Sequence, residues 1–233
     1  MSAMKQTLLE GLPQLGLSLA EETADKLCAF GEAVIAQNEV MNLTAITEPS
    51  AVAKLHLLDS LTVLTAADLN GKTLIDVGCG AGFPGVPVAI ACPNAKVTLL
   101  DSLGKRMTWL ETILPQLGVK ARCITARAEE AISDHREKFD YATSRAVARL
   151  NILLELTAPY VRVGGAVIAL KGSAARQELE EAAGAVKKLG LKVEEIKDFD
   201  IDGATHSVIV LRKITKTPPQ FPRRYAKIKQ SPL

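Results

Sequence analysis

The sequence lacks the arrangements on which several large enzyme classes depend. Its four cysteines, at positions 28, 79, 92 and 123, show no Cys-x-x-Cys spacing, and its three histidines are scattered. No metal site is therefore expected, and the thiols read as reduced. No apolar run approaches the roughly 18 residues that cross a bilayer, so no membrane-spanning helix and no membrane partner are predicted. Glu10, Gly11 and Pro13 interrupt the first 19 residues, which argues against a secretory signal. A nucleophile elbow, a Walker loop and paired catalytic carboxylates are missing, as are repeats and low-complexity tracts.

What is present suits one large domain, or one domain with an appendage: 233 residues, 48% of them hydrophobic. The formal net charge of +2 says less than its distribution. From Arg212 to Leu233 there are seven Lys or Arg and no acids, whereas Glu178 to Asp202 is rich in carboxylates. Residues 1–70 carry helical apolar spacing in Leu8, Leu9 and Leu12, in Ala24, Leu27, Phe30 and Val34, and in Val52, Leu55, Leu58 and Leu61. They read as an N-terminal helical cap. From 71 to 213 short β-rich runs alternate with helical stretches, which predicts crossover helices and an open, doubly wound sheet. The runs are Thr73 to Val77, Lys96 to Leu100, Ala121 to Thr125, Asp140 to Ser144, Ala166 to Leu170, Val193 to Phe199 and His206 to Arg212. The last two flank an Asp202-Gly203 turn, so the final strand is expected to run antiparallel in a seven-stranded, mostly parallel sheet. Residues 214–233 form a basic tail that reads either as an RNA contact or as a disordered end.

The strongest local signal is Thr73-Leu-Ile-Asp76-Val-Gly78-Cys-Gly80-Ala-Gly82-Phe83-Pro84-Gly85, a strand running through an aspartate into spaced glycines. Pro84 and Pro87 suit the first turn of a following helix. Gly80-x-Gly82-x-x-Gly85 also fits the dinucleotide fingerprint, with Asp101 as its ribose-binding acid. Asp76 favours a different cofactor. A carboxylate beside the first glycine repels a pyrophosphate but attracts the sulfonium and amino groups of S-adenosylmethionine (SAM). The pattern points to a Rossmann-like, class I SAM-dependent methyltransferase fold; an NAD-dependent dehydrogenase is the alternative.

Ligands in such sheets sit at the carboxyl ends of the strands. Phe83 is a candidate wall of the cofactor pocket or a residue folded into the core. Asp101 is placed for ribose hydroxyls or as a helix cap, and Arg127-Ala128-Glu129 for an adenine edge or a helix start. Arg145, ending the fourth strand beside the switch point, is expected to face the reaction centre. His56, Asp59 and Ser60 share one face of a helix and read as helix-face hydrogen-bonding groups, with a catalytic role as the alternative.

Taken together, Asn42-Leu-Thr-Ala-Ile46, His56-x-x-Asp59-Ser60-Leu61, Asp76-Val-Gly-x-Gly-Ala-Gly-Phe-Pro-Gly85, Asp101-Ser102-x-x-Lys105-Arg106, Arg127-Ala-Glu129 and Ser144-Arg145-Ala146 resemble the RsmG (GidB) family. Members are bacterial methyltransferases acting on guanine N7 of 16S ribosomal RNA, and the similarity runs from about residue 38 to the end. The resemblance implies a cytoplasmic, SAM-dependent enzyme whose partner is 16S ribosomal RNA, free or in the small ribosomal subunit; a monomer is expected. Its cofactor contacts fall on Gly78, Phe83, Ala128, Glu129 and Arg145, with Asp101 at the ribose and Arg145 as a positioning group in catalysis. The sequence departs from the family at Cys79, where serine is frequent, and at Ala226, where a glycine of the C-terminal pattern is lost.

Overall fold

The computed structural model describes residues 1–233. The β-branched and leucine-rich runs form strands β1 Thr73–Val77, β2 Lys96–Asp101, β3 Ala121–Thr125, β4 Phe139–Arg145, β5 Val161–Lys171, β6 Leu191–Ile201 and β7 Ala204–Lys213. They lie in one sheet in the order β3-β2-β1-β4-β5-β7-β6. The pairs among β1 to β5 are parallel, while β7 is antiparallel to both β5 and β6. That inserted final strand separates this sheet from a dinucleotide-binding fold, whose order is 3-2-1-4-5-6. The order reverses between β1 and β4, and this switch point is where a ligand crevice opens.

Successive side chains of a strand face opposite sides of the sheet, so each central strand feeds two cores. Leu74, Ala166, Ile168 and Leu170 enter a cluster of 36 buried residues, and Ile75, Val167 and Ala169 enter one of 22 on the other face. The N-terminal helices α1 (Ala3–Gly11), α2 (Glu21–Asn38) and α3 (49–66) contribute Met4, Leu8, Leu27, Phe30, Leu57 and Leu61 to the first cluster. They are laid directly on the sheet. Glu48 caps α3 by accepting from Ser50 N and Ala51 N, and Pro49 occupies the first turn, where its missing N–H is harmless. In its middle, over Ala53–Leu58, α3 widens into a π-helical turn, a feature that often marks a functional site.

The basic C-terminal segment is packed against the second core. Phe221 and Ile228 are buried, and Arg223 grips the fully buried Glu155 of the helix Leu150–Thr157 with its backbone N and Nε, each 2.8 Å from Oε1, and with Nη2, 2.5 Å from Oε2. Lys213, just before the tail, is buried as well. It donates to Ala158 O at 2.7 Å and to Thr217 Oγ1, and burial pushes its ammonium down to about 8.

Candidate active site

The glycine loop spends nearly all of its donors on the protein itself. Gly78 N and Cys79 N donate to Leu100 O, Gly82 N and Phe83 N to Cys79 O, and Val86 N to Gly82 O. Asp101 Oδ2 accepts from Gly80 N at 2.9 Å, and Asp76 Oδ2 accepts from Gly85 N at 2.7 Å. The start of the helix Gly85–Ala91 thus has no amide left to cradle a phosphate, because Pro87 has none and Val88 N donates to Pro84 O. Asp76 therefore acts differently from the sequence expectation. Its carboxyl is fully buried under the loop and does not line the cavity above it, and burial raises it to about 7. It occupies the helix N-terminus itself, through Gly85 N, instead of facing the cavity above the loop. Gly78 lies at φ +74°, and a Cβ there would stand 2.4 Å from Val147 Cγ2, so only glycine permits this approach of β1 to the chain after β4.

Above the loop lies a cavity of about 580 Å³ at the carboxyl ends of β1 to β4. Gly78, Phe83, Asp101, Ala128, Glu129 and Arg145, the residues nominated from sequence, all line it. Asp101 stands at its edge with Oδ1 accepting from Leu103 N at 2.9 Å and Oδ2 from Gly80 N. Each carboxylate oxygen keeps a second lone pair for a further donor. Ala128 is fixed from below, where Tyr160 donates its hydroxyl to Ala128 O at 2.6 Å. Phe83 is both of the things the sequence offered: it lines the cavity, is 5% exposed and belongs to the first core. Its ring lies 5.2 Å from that of Phe30 and stacks 4.7 Å from that of His56.

Arg145 crosses the floor between elements far apart in the chain. Nη1 donates to Asp59 Oδ2 and to Leu55 O, each at 2.8 Å, and the guanidinium sits 5.1 Å from the Phe83 ring centre. Nη2 stands 3.2 Å from His56 Nδ1, and Thr44 Oγ1 is 2.8 Å from His56 Nε2. Nδ1 also stands 3.1 Å from Leu55 O, so both ring nitrogens are engaged within the protein. Burial, reinforced by Arg145, keeps that ring neutral by lowering it to about 4. Asp59 Oδ1 accepts from His206 Nδ1 at 2.7 Å. Burial alone would raise the Asp59 carboxyl, yet His206 and Arg145 outweigh it and hold it below the usual carboxylate range. His206 in turn is raised by that hydrogen bond. Of the three helix-face groups, Ser60 makes the expected local bond, donating to His56 O, while His56 and Asp59 reach across to Arg145 and β7. Thr44 and His206, which the sequence did not nominate, also reach the site or its wall, and Tyr225 of the C-terminal segment lines the cavity.

Residues 23–208 match the family described as GidB, rRNA small subunit methyltransferase G. This chain belongs to that family. The ribosomal RNA small subunit methyltransferase G of Alkaliphilus metalliredigens (strain QYMF) is 40% identical over 235 residues, covering 98% of each chain. The protein of the same description from Clostridium beijerinckii is 41% identical over 225 residues, covering 94% of each. The fold recurs in TYW2 of M. jannaschii in complex with AdoMet, with a TM-score of 0.56 and 14% identity over 68% of this chain and 76% of that one. It recurs also in a precorrin-6y C5,15-methyltransferase from Geobacter metallireducens GS-15, at a TM-score of 0.53 and 12% identity over 74% and 92%. The fold of this GidB-family chain is thus that of class I SAM-dependent methyltransferases, as the strand pattern predicted. The site suits such a cofactor on its own evidence: the loop offers no run of free amides for a diphosphate, and the crevice keeps an acid, Asp101, at its edge.

Proposed function

We propose that this chain transfers a methyl group from SAM to N7 of a guanine in 16S ribosomal RNA of the small subunit. Support comes from the amide accounting of the glycine loop, which disfavours a dinucleotide, together with membership of the GidB family. In this reading Gly78 and Phe83 form the cofactor's floor and wall, Asp101 accepts from ribose hydroxyls, and Ala128 and Glu129 meet the adenine edge. Arg145 positions the reactants. When bound, SAM supplies a methyl group on a cationic sulfur.

Guanine N7 carries a lone pair at neutral pH and needs no deprotonation. The surrounding groups match that requirement. His56 is neutral with both nitrogens engaged, and Asp59 is an anion saturated by Arg145 and His206, so neither is free to act as a base. What the chain supplies is alignment, an effect worth roughly 7 to 11 kcal/mol of barrier. Residues 1–70 act as a cap over the sheet, 71–213 hold the cofactor, and 214–233 offer exposed Arg224, Lys227 and Lys229 to RNA phosphates. The working form is a monomer in the cytoplasm.

The test is incubation of small subunits lacking the mark with methyl-labelled SAM, followed by mapping of the labelled nucleotide. Label on one 16S guanine, lost when that base is 7-deazaguanine, is the expected result. Binding of SAM without transfer to subunits or to free RNA would instead make the chain a binding module.

A further inference from the structure

A second cavity, of about 550 Å³, lies on the other side of Arg145. Arg145, His56, Ala146 and Val147 line both cavities, so the two share one partition. Three features mark this second space as built for a polar planar ligand. The connection 146–149 donates none of its four backbone N–H groups within the chain, and Ala146 holds a left-handed φ of +57° there. Glu178 is fixed at the wall by two donors on one oxygen: Lys171 Nζ and Leu150 N, each 2.8 Å from Oε2. Lys171, whose side chain is 7% exposed, is itself tied back to Ala148 O at 2.5 Å, and no protein group donates to Glu178 Oε1.

We infer that this second cavity receives the target guanine and that Glu178 reads its Watson–Crick edge, an inference that rests on the methyl-transfer reading above. Guanine presents N1–H and N2–H₂ as donors beside O6 as an acceptor. Oε1, the carboxylate oxygen that no protein group reaches, has two lone pairs for the two donors, and the unused amides of 146–149 supply the donor that O6 requires. Adenine would set the N1 lone pair against the carboxylate and is disfavoured. With the base so held, N7 faces the partition and hence the cofactor cavity. The N7 lone pair forms the new N–CH₃ bond as the S–CH₃ bond breaks and its electrons return to sulfur; the base takes the positive charge and no proton moves. Glu178 and Asp59, both beside this cavity, offset that charge.

The test compares Glu178→Gln with the parent in three measurements. Affinity for S-adenosylhomocysteine, read by calorimetry, is expected to stay within about twofold, because Glu178 lines only the second cavity. The kcat/KM for transfer into unmarked small subunits is expected to fall about tenfold or more, from the lost charged hydrogen bond. Replacing the target guanine with inosine, which lacks the N2 amine, should cost the parent more than it costs the variant. Unchanged transfer by E178Q, or equal inosine penalties, overturns the inference. So does a loss of cofactor affinity that matches the loss of transfer. Should E178Q not fold, photocrosslinking of the parent to small subunits carrying 6-thioguanine at the target decides: adducts within 146–178 support the inference, and adducts confined to 214–233 overturn it. If the parent itself transfers no methyl to ribosomal RNA, the functional reading fails along with this one, whereas a parent that transfers and an E178Q that transfers equally well sink the inference alone.

Discussion

Arg145 holds a carboxylate that has almost no other access to water: Asp59 is 5% exposed. Arg145→Ala leaves that anion with only His206, and breaking such a buried pair costs about 3 kcal/mol. Urea unfolding is expected to show this loss, with Arg145→Lys intermediate because it keeps charge but not the forked donors. The Asp59–His206 pair gives a pH signature. His206 is raised in the folded chain, so its contribution is complete below the unfolded value near 6.5 and disappears as pH rises through its folded value. Asp59 is lowered, so its share is present above the unfolded value near 4 and is lost as pH falls further. The difference in melting temperature between parent and His206→Asn should accordingly be largest between about pH 5 and 6.5 and shrink by pH 9; a difference that grows with pH contradicts the pairing. At this scale the sequence disclosed position better than direction. Arg145 was legible because it ends a strand at the switch point. Its partners were not, since His56 and Asp59 sit three apart on a helix like any local pair, and nothing in the spacing announces that β7 delivers His206 beside them. Asp76 was legible as a charge but not as a group turned under the loop.

At the scale of elements, the tail shows why composition misleads. Five basic residues and no acid look like a solvated end, yet Arg223 is taken by a buried glutamate that belongs, in sequence, to a leucine-rich helix. Cutting the chain after Lys213 would strand Glu155 and remove Ile228, so such a truncation mixes folding with binding. Substituting Arg224, Lys227 and Lys229 by Ala separates them, because all three are exposed. If they contact phosphates, the log–log salt dependence of binding to single-stranded RNA falls by about 0.7 per contact, while the melting temperature holds. The strands, by contrast, were legible in number and place but not always in extent: β5 starts at Val161, five residues before the apolar run Ala166–Leu170, and β6, Leu191–Ile201, is largely charged and extends two residues beyond the read run at each end. The π-helical turn in α3 was not, since its sequence has no break in helical periodicity.

At the scale of the whole molecule, the N-terminal helices and the sheet share one core, and Phe30 joins them by stacking its ring 6.4 Å from Trp109 and tilting it against Phe83. Phe30→Ala is expected to cost about 3 to 5 kcal/mol and to weaken SAM binding through the loosened Phe83 loop. Unfolding should be a single transition by both fluorescence and circular dichroism if the shared core makes one cooperative unit. Saturating SAM or S-adenosylhomocysteine should raise the melting temperature, and NAD should leave it unmoved. The wall of the site joins residues 147 positions apart, Asp59 from α3 and His206 from the last strand. A nascent chain therefore carries every glycine of its loop long before it owns a finished pocket, and fragments released early in translation would hold the signature of the family without its chemistry.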